Sequence, residues 1–276
     1  MENKQIWFIT GASKGLGLSL VKSLLNAGHA VAATSRKLVE LVAAAGVDDN
    51  FLPLQADVKD EAAIASAIKS TVEKFGRIDV VVNNAGYGIG GSIEELSHDE
   101  TRVSFDVNVF GTLNVIRQAM PYLRAQRSGH IINISSIAGI TANTGWAIYA
   151  ATKYAIVGLT ESLATDIKEF GIKATVVAPG GFRTNFLEPD SLYITNNTID
   201  AYTAVRETHT RYLKMSGAQA GDPDKAATAM MELVNLENPP LYLLLGSDAY
   251  ARANEKLERL NTAFKQYESL TKSTDY

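Results

Sequence analysis

Seven short apolar runs, most of them rich in β-branched residues, recur along this chain between longer stretches whose apolar residues are spaced for one buried helical face. Runs that stay apolar without alternating are what parallel strands buried on both faces require, and the stretches between them are the crossover helices such strands need. The runs cover 5–10, 30–34, 51–55, 79–83, 130–135, 173–178 and 241–245, and helices begin near Gly15, Glu61, Ser97, Ala147 and Asp224. This pattern predicts an α/β fold, a doubly wound parallel sheet of about seven strands flanked by helices and joined by right-handed crossovers. In such a sheet ligands collect beyond the carboxyl ends of the strands, where the strand order reverses. No composition shift marks a linker, so 1–276 is expected to be a single domain. The stretch 185–223 breaks the rhythm with mixed polar and aromatic residues, and is expected to be an insertion over the cleft. Beyond the seventh run a helical extension over 248–276 carries Ala253, Leu257, Leu260, Phe264 and Tyr267 as an apolar stripe, expected to pack on its own subunit.

An apolar share of 46% and a charged share of 20% suit a globular chain with a substantial core, which excludes disorder of the whole chain. A formal net charge of -4 offers no general attraction for nucleic acid or an anionic membrane, so neither is expected as a partner. The chain has no cysteine, which excludes disulfides, thiolate metal sites and a cysteine nucleophile; no metal is expected. The first apolar run is too short for a signal peptide and no later one is long enough to span a bilayer, so a cytoplasmic location is expected.

The first run leads into Thr10-Gly11-Ala12-Ser13-Lys14-Gly15-Leu16-Gly17 and then an apolar helix. Glycines there permit a tight turn and close approach of backbone to a pyrophosphate, whose charge the helix N-terminus stabilises. Taken alone such a turn can equally serve packing. Tyr149 and Lys153 stand four apart in a helical segment, hence on one face, with Ser136 just past the fifth run. Reducing a ketone needs a proton at oxygen as hydride reaches carbon, and a phenol near pKa 10 is too weak a donor unless positive charge steadies its phenolate. Lys153 can supply that charge, and the Ser136 hydroxyl can hold the carbonyl oxygen beside Tyr149. Singly, a Tyr-x-x-x-Lys pair is usually an ordinary helix face, and Ser136 could be a helix cap.

In combination these pieces resemble the short-chain dehydrogenase/reductase family, which carries T-G-x-x-x-G-x-G after its first strand and Ser, then Tyr-x-x-x-Lys, further on. Asn83-Asn84-Ala85-Gly86 is similar to its N-N-A-G element, Asp57-Val58 to its adenine-contacting pair, and Pro179-Gly180-Gly181-Phe182-Arg183-Thr184 to its P-G motif, with Phe182 where Val or Ile is common. The resemblance implies a Rossmann-type fold and a dinucleotide cofactor contacted by Thr10, Gly11, Ser13, Lys14, Gly15, Leu16, Gly17, Ser35, Arg36, Asp57, Val58, Asn83, Ala85, Gly86, Tyr149, Lys153, Pro179, Gly180, Phe182 and Thr184. It also implies a catalytic tetrad of Asn108, Ser136, Tyr149 and Lys153, in which Lys153 bonds the nicotinamide ribose and Asn108 holds a water that relays protons from Lys153. An NAD-specific relative presents a carboxylate at the end of the second strand; here Thr34-Ser35-Arg36 has none, and Arg36 with Lys14 suits the ribose phosphate of NADP(H). The expected activity is that of an NADPH-dependent carbonyl reductase or alcohol dehydrogenase of the hydroxysteroid-dehydrogenase-like branch. The alternative is an NADPH-binding regulatory or sensor protein on the same fold. Walls around 88–91, 140–146, 186–187 and 192–194 read as apolar and uncharged, which predicts an apolar ketone or alcohol rather than a sugar phosphate or keto acid. A homodimer through the helices bearing Asn108 and Tyr149 is also expected.

Overall fold

The computed structural model describes residues 4–276, and within them the seven apolar runs form one parallel sheet. Its strands, numbered along the whole chain, are β1 (Ile6–Thr10), β2 (Ala30–Ser35), β3 (Phe51–Gln55), β4 (Val80–Asn83), β6 (Gly129–Ile134), β7 (Ile172–Pro179) and β9 (Tyr242–Leu245). Two further short strands, β5 (Gly88–Gly90) and β8 (Leu192–Ile194), make a separate parallel pair. The large sheet runs β3-β2-β1-β4-β6-β7-β9, so the chain starts in the middle, moves to one edge, and then crosses β1 to build the other half. The reversal lies between β1 and β4, which places a crevice beyond their carboxyl ends.

Alternation along β1 divides its side chains between the two faces. Trp7 and Ile9 join Leu20 and Leu24 of α1 (Gly15–Asn26) and Met230 and Leu233 of α8 (Pro223–Asn235) in one core. Phe8 joins Ile64 and Ile68 of α3 (Glu61–Phe75) and Val115, Ala119 and Leu123 of α5 (Gly111–Gln126) in the other. All five β1 residues are buried, which is why the sequence reads there as an unbroken apolar run.

Helix starts follow local chemistry. Asp60 caps α3 by accepting from the Ala62 and Ala63 amides, and Ser97 with Glu100 forms a reciprocal capping box at α4 (His98–Phe105). The starts at Gly15, Glu61 and Ala147 agree with expectation; Ser97 is the cap of α4, and α8 begins one residue before Asp224. The eight-residue α2 (Leu38–Ala45) was not anticipated, because it offers too few turns to show a helical period. Asn108 sits in a π-helical turn, Asp106–Phe110, between α4 and α5. Val103 and Phe110 are about half exposed there.

The stretch 185–223 holds β8 and α7 (Thr203–Lys214), and a bridge between Phe182 and Gly221 brings its ends together. Glu95, with no exposed side-chain surface, ties it to the body: its carboxylate accepts from Arg206 at 2.6 Å, from the Ile199 amide and from the Ser92 amide. These donors, Arg206 first, hold its pKa down at about 2 despite burial. The C-terminal stripe departs from expectation. In α9 (Ser247–Gln266), followed by α10 (Glu268–Lys272), Ala249 and Ala253 are buried, but Leu257, Phe264 and Tyr267 are 60%, 69% and 55% exposed. Only the first turns of α9 lie over Ile137, Ile140 and Leu244; the rest of the stripe gains no such cover.

His130 on β6 is buried, with Nε2 2.9 Å from the Thr175 hydroxyl and Nδ1 without a hydrogen-bond partner. Burial first, and the nearby Lys173 charge second, bring its pKa from 6.5 down to about 4. The unfolded chain therefore takes up this proton at higher pH than the folded one. Stability from neutral His130 is complete above pH 6.5 and falls as pH drops toward 4, by up to about 3 kcal/mol. Melting temperature measured across that window should fall less steeply in His130→Gln than in the wild type.

Candidate active site

A cavity of about 990 Å³ opens at the switch point and runs from the glycine turn to α7. The glycine turn is shaped by contact. Gly11 has φ +65° and a Cβ there would lie 2.7 Å from the Ala85 Cα, so only glycine lets the two loops meet. At Gly17 a Cβ would lie 2.5 Å from the Asn84 amide nitrogen. Thr10 Oγ1 accepts from the backbone amides of Asn84 and Ala85 at 3.1 Å, while Asn84 Nδ2 donates to the carbonyls of Thr10 and Gly11. The loops after β1 and β4 are thus laced together. The first turn of α1, capped by Lys14, has neither a side-chain hydrogen-bond cap nor an acidic residue, so its amides are free for an anion.

Most of the expected contact residues line this cavity: Gly11, Ser13, Lys14, Gly15, Leu16, Ser35, Arg36, Asp57, Val58, Ala85, Gly86, Tyr149, Lys153, Pro179, Gly180, Phe182 and Thr184. Four expected site residues do not face it. Thr10 and Gly17 serve the lacing just described, Asn83 donates to Asn133 on the neighbouring strand at 2.8 Å, and Asn108 lies behind the wall. Asn108 Oδ1 accepts from the Tyr87 amide, and its Nδ2 donates to the Tyr87 carbonyl and to Thr152 Oγ1, one residue before Lys153. A Cβ on Gly86 would stand 3.0 Å from Asn108 Oδ1 and 3.5 Å from Lys153 Nζ, so this glycine lets both approach.

Tyr149 and Lys153 occupy successive turns of α6 (Ala147–Asp166), both buried, with Lys153 Nζ 5.9 Å from the Tyr149 ring centroid. Lys153 Nζ also donates to the Ile134 carbonyl at 3.0 Å. Ser136, extended at the end of β6, caps a short 3-10 turn by accepting from the Ala138 amide. The electrostatic balance differs from the sequence expectation. Burial pushes the Tyr149 phenol up to about 12, with Ser136 pulling it down and Tyr212 adding to the rise. Burial brings the Lys153 ammonium down to about 8. Desolvation dominates both shifts, so the phenol is held protonated.

The far end of the cavity corrects the expectation of an uncharged wall. Ile89, Trp146, Phe186 and Leu187 do line it, but so do Asp99, Glu100, Arg211 and Arg252. Sequence reasoning also missed Asn84, Tyr212, Gln219 and Asp248. Asn84 lay within a recognised motif. Asp248 carried no signal: it reaches back from α9, accepts from the Gly181 amide at 2.9 Å, and fills the space that a Cβ on Gly180 would occupy.

Residues 5–192 match the family model described as short chain dehydrogenase. The chain is 37% identical over 270 residues to an oxidoreductase, BOA17, of Botryotinia fuckeliana, covering 97% of this chain and 98% of that one. The structure of a short-chain dehydrogenase from Streptomyces avermitilis superposes with a TM-score of 0.90 at 34% identity, covering 99% of each chain. That of ElxO with NADP bound superposes with a TM-score of 0.74 at 28% identity, covering 90% of this chain and 100% of the other. A seven-stranded switch-point sheet, one cavity holding both the glycine turn and the Ser136, Tyr149 and Lys153 side chains, and these matches have one reading: the chain is an oxidoreductase of the short-chain dehydrogenase/reductase family.

Proposed function

We propose that the protein is an NADP(H)-dependent carbonyl reductase or alcohol dehydrogenase that interconverts an apolar-bodied ketone and its secondary alcohol. One observation carries this reading: the N-terminus of α1, which lacks a side-chain cap, the half-buried Ser136 and the buried Tyr149 and Lys153 share one cavity. The residues present fit a dinucleotide: the free amides of the glycine turn would hold its pyrophosphate, and Lys153 with the loop from Pro179 to Thr184 would hold its nicotinamide end. When bound, it supplies the hydride.

The chain's own residues handle the oxygen and its proton. Tyr149, kept protonated by burial, delivers its phenolic proton to the carbonyl oxygen. Lys153 beside it stabilises the phenolate that remains, and the Ser136 hydroxyl donates to the same oxygen as negative charge develops. We assign Asn108 to positioning, since its amide grips Thr152 and thereby the turn of α6 that carries Lys153. For the adenosine end, the absence of a carboxylate from Thr34-Ser35-Arg36 and the presence of Arg36 and Lys14 at the cavity favour a ribose phosphate. The NADP bound in ElxO is in keeping with this.

Tyr149→Phe should lower kcat for ketone reduction by roughly 100-fold or more while leaving NADPH affinity within about threefold, read by absorbance and by fluorescence titration. Substantial surviving turnover would mean that the proton comes from another group. Arg36→Ala should raise the KM for NADPH about tenfold or more with little change for NADH; an unchanged preference removes Arg36 from phosphate recognition. A panel of ketones and alcohols on which NADPH binds tightly yet nothing turns over would favour the sensor reading instead.

A further inference from the structure

The far end of the cavity carries a charge that proton delivery does not use. Arg252, on α9, is partly buried and lines the cavity, and one of its guanidinium nitrogens donates to the Thr141 carbonyl at 3.2 Å. In the amide orientation that satisfies both ends of Asn143, the Asn143 oxygen accepts from that guanidinium at 3.1 Å and from the Tyr212 hydroxyl at 2.6 Å. Among the described residues no carboxylate pairs with Arg252. The cluster stands near the reacting end, because Tyr212 acts electrostatically on Tyr149 and packs edge-on against Trp146 with ring centroids 5.3 Å apart.

A partly buried cation answered only by neutral oxygens carries a desolvation cost that an incoming anion offsets. Its planar fork matches a carboxylate in two-point geometry, which a lone ammonium would not. Ile89 and Phe186, which pack with Tyr149, give the same cavity an apolar wall suited to a hydrocarbon body. We infer that Arg252 is a specificity-determining residue, and that the preferred substrate is a ketone or secondary alcohol whose apolar body ends in a carboxylate held by Arg252. A phosphate is a poorer match, because the second cation at this end, Arg211, is exposed on the rim. This inference rests on the reductase reading but fails separately from it.

The test pairs a series of oxo-alkanoic acids of increasing chain length with their methyl esters, in wild type, Arg252→Gln and Arg252→Lys, each first checked for an unchanged melting temperature. The wild type should prefer the acid at one chain length. Arg252→Gln should lose roughly 10- to 100-fold in kcat/KM for that acid and change by less than about twofold for the ester, with Arg252→Lys intermediate. Equal losses on acid and ester would show a purely structural role for Arg252, and a wild type that prefers the esters would overturn the proposal outright. Should no ketone turn over, the reductase reading fails while calorimetry on the NADPH-loaded protein still decides this one. Tighter binding of acid than ester, abolished in Arg252→Gln, supports it; equal binding overturns it.

Discussion

The site depends on a meeting of two loops. At the carboxyl ends of β1 and β4 the backbone turns away from the sheet, and Thr10 and Asn84 bind each other's loop through four hydrogen bonds. The contact is possible only because Gly11 and Gly17 have no Cβ to hold the loops apart. With the loops joined, the first turn of α1 faces the crevice with its amides free. Loosening this lacing would disturb the anion cradle before it disturbed the sheet, whose strands are held from both faces by two separate cores.

Burial sets the chemistry as much as position does. The same desolvation that raises the Tyr149 phenol lowers the Lys153 ammonium, so the two, nearly equal in acidity when free, move apart to about 12 and about 8. A phenol at about 12 is a weaker donor than a free one, so proton delivery leans on Lys153 to steady the phenolate, and a lysine near 8 is still mainly charged at neutral pH. Behind them Asn108 and Ser135 hold α6 in place, through Thr152 and through the Lys153 carbonyl at 2.9 Å. Asn108, which does not line the cavity, and Ser135, which does, thereby fix the turn of α6 that carries Lys153.

Specificity is built from elements far apart in the chain. The region after β7 leaves at Phe182 and returns at Gly221, and the buried Glu95 to Arg206 ion pair anchors α7 over the cleft. The start of α9 then brings Asp248 under the loop at Gly180 and Arg252 beside Asn143. The insertion over the cleft was legible in the sequence, whereas nothing in the local pattern of α9 places Asp248 or Arg252 at this wall.

The sheet, its strand count and the positions of Ser136, Tyr149 and Lys153 were legible in the sequence, because buried parallel strands must be apolar and a four-residue spacing on a helix has one geometric meaning. The glycine turn was legible too, since its backbone conformation tolerates few other residues. What the sequence could not reveal was which side chains turn away from the cavity, as Thr10, Asn83 and Asn108 do. That is settled by partners more than twenty residues distant. Nor could it reveal the sense of the Tyr149 shift, which depends on how completely packing removes water from a phenol. The charged far wall was equally hidden, because Arg252 becomes part of the site only when the first turns of α9 dock on the sheet. Periodicity and spacing record local constraints in the chain; burial and long-range contact exist only once it has folded.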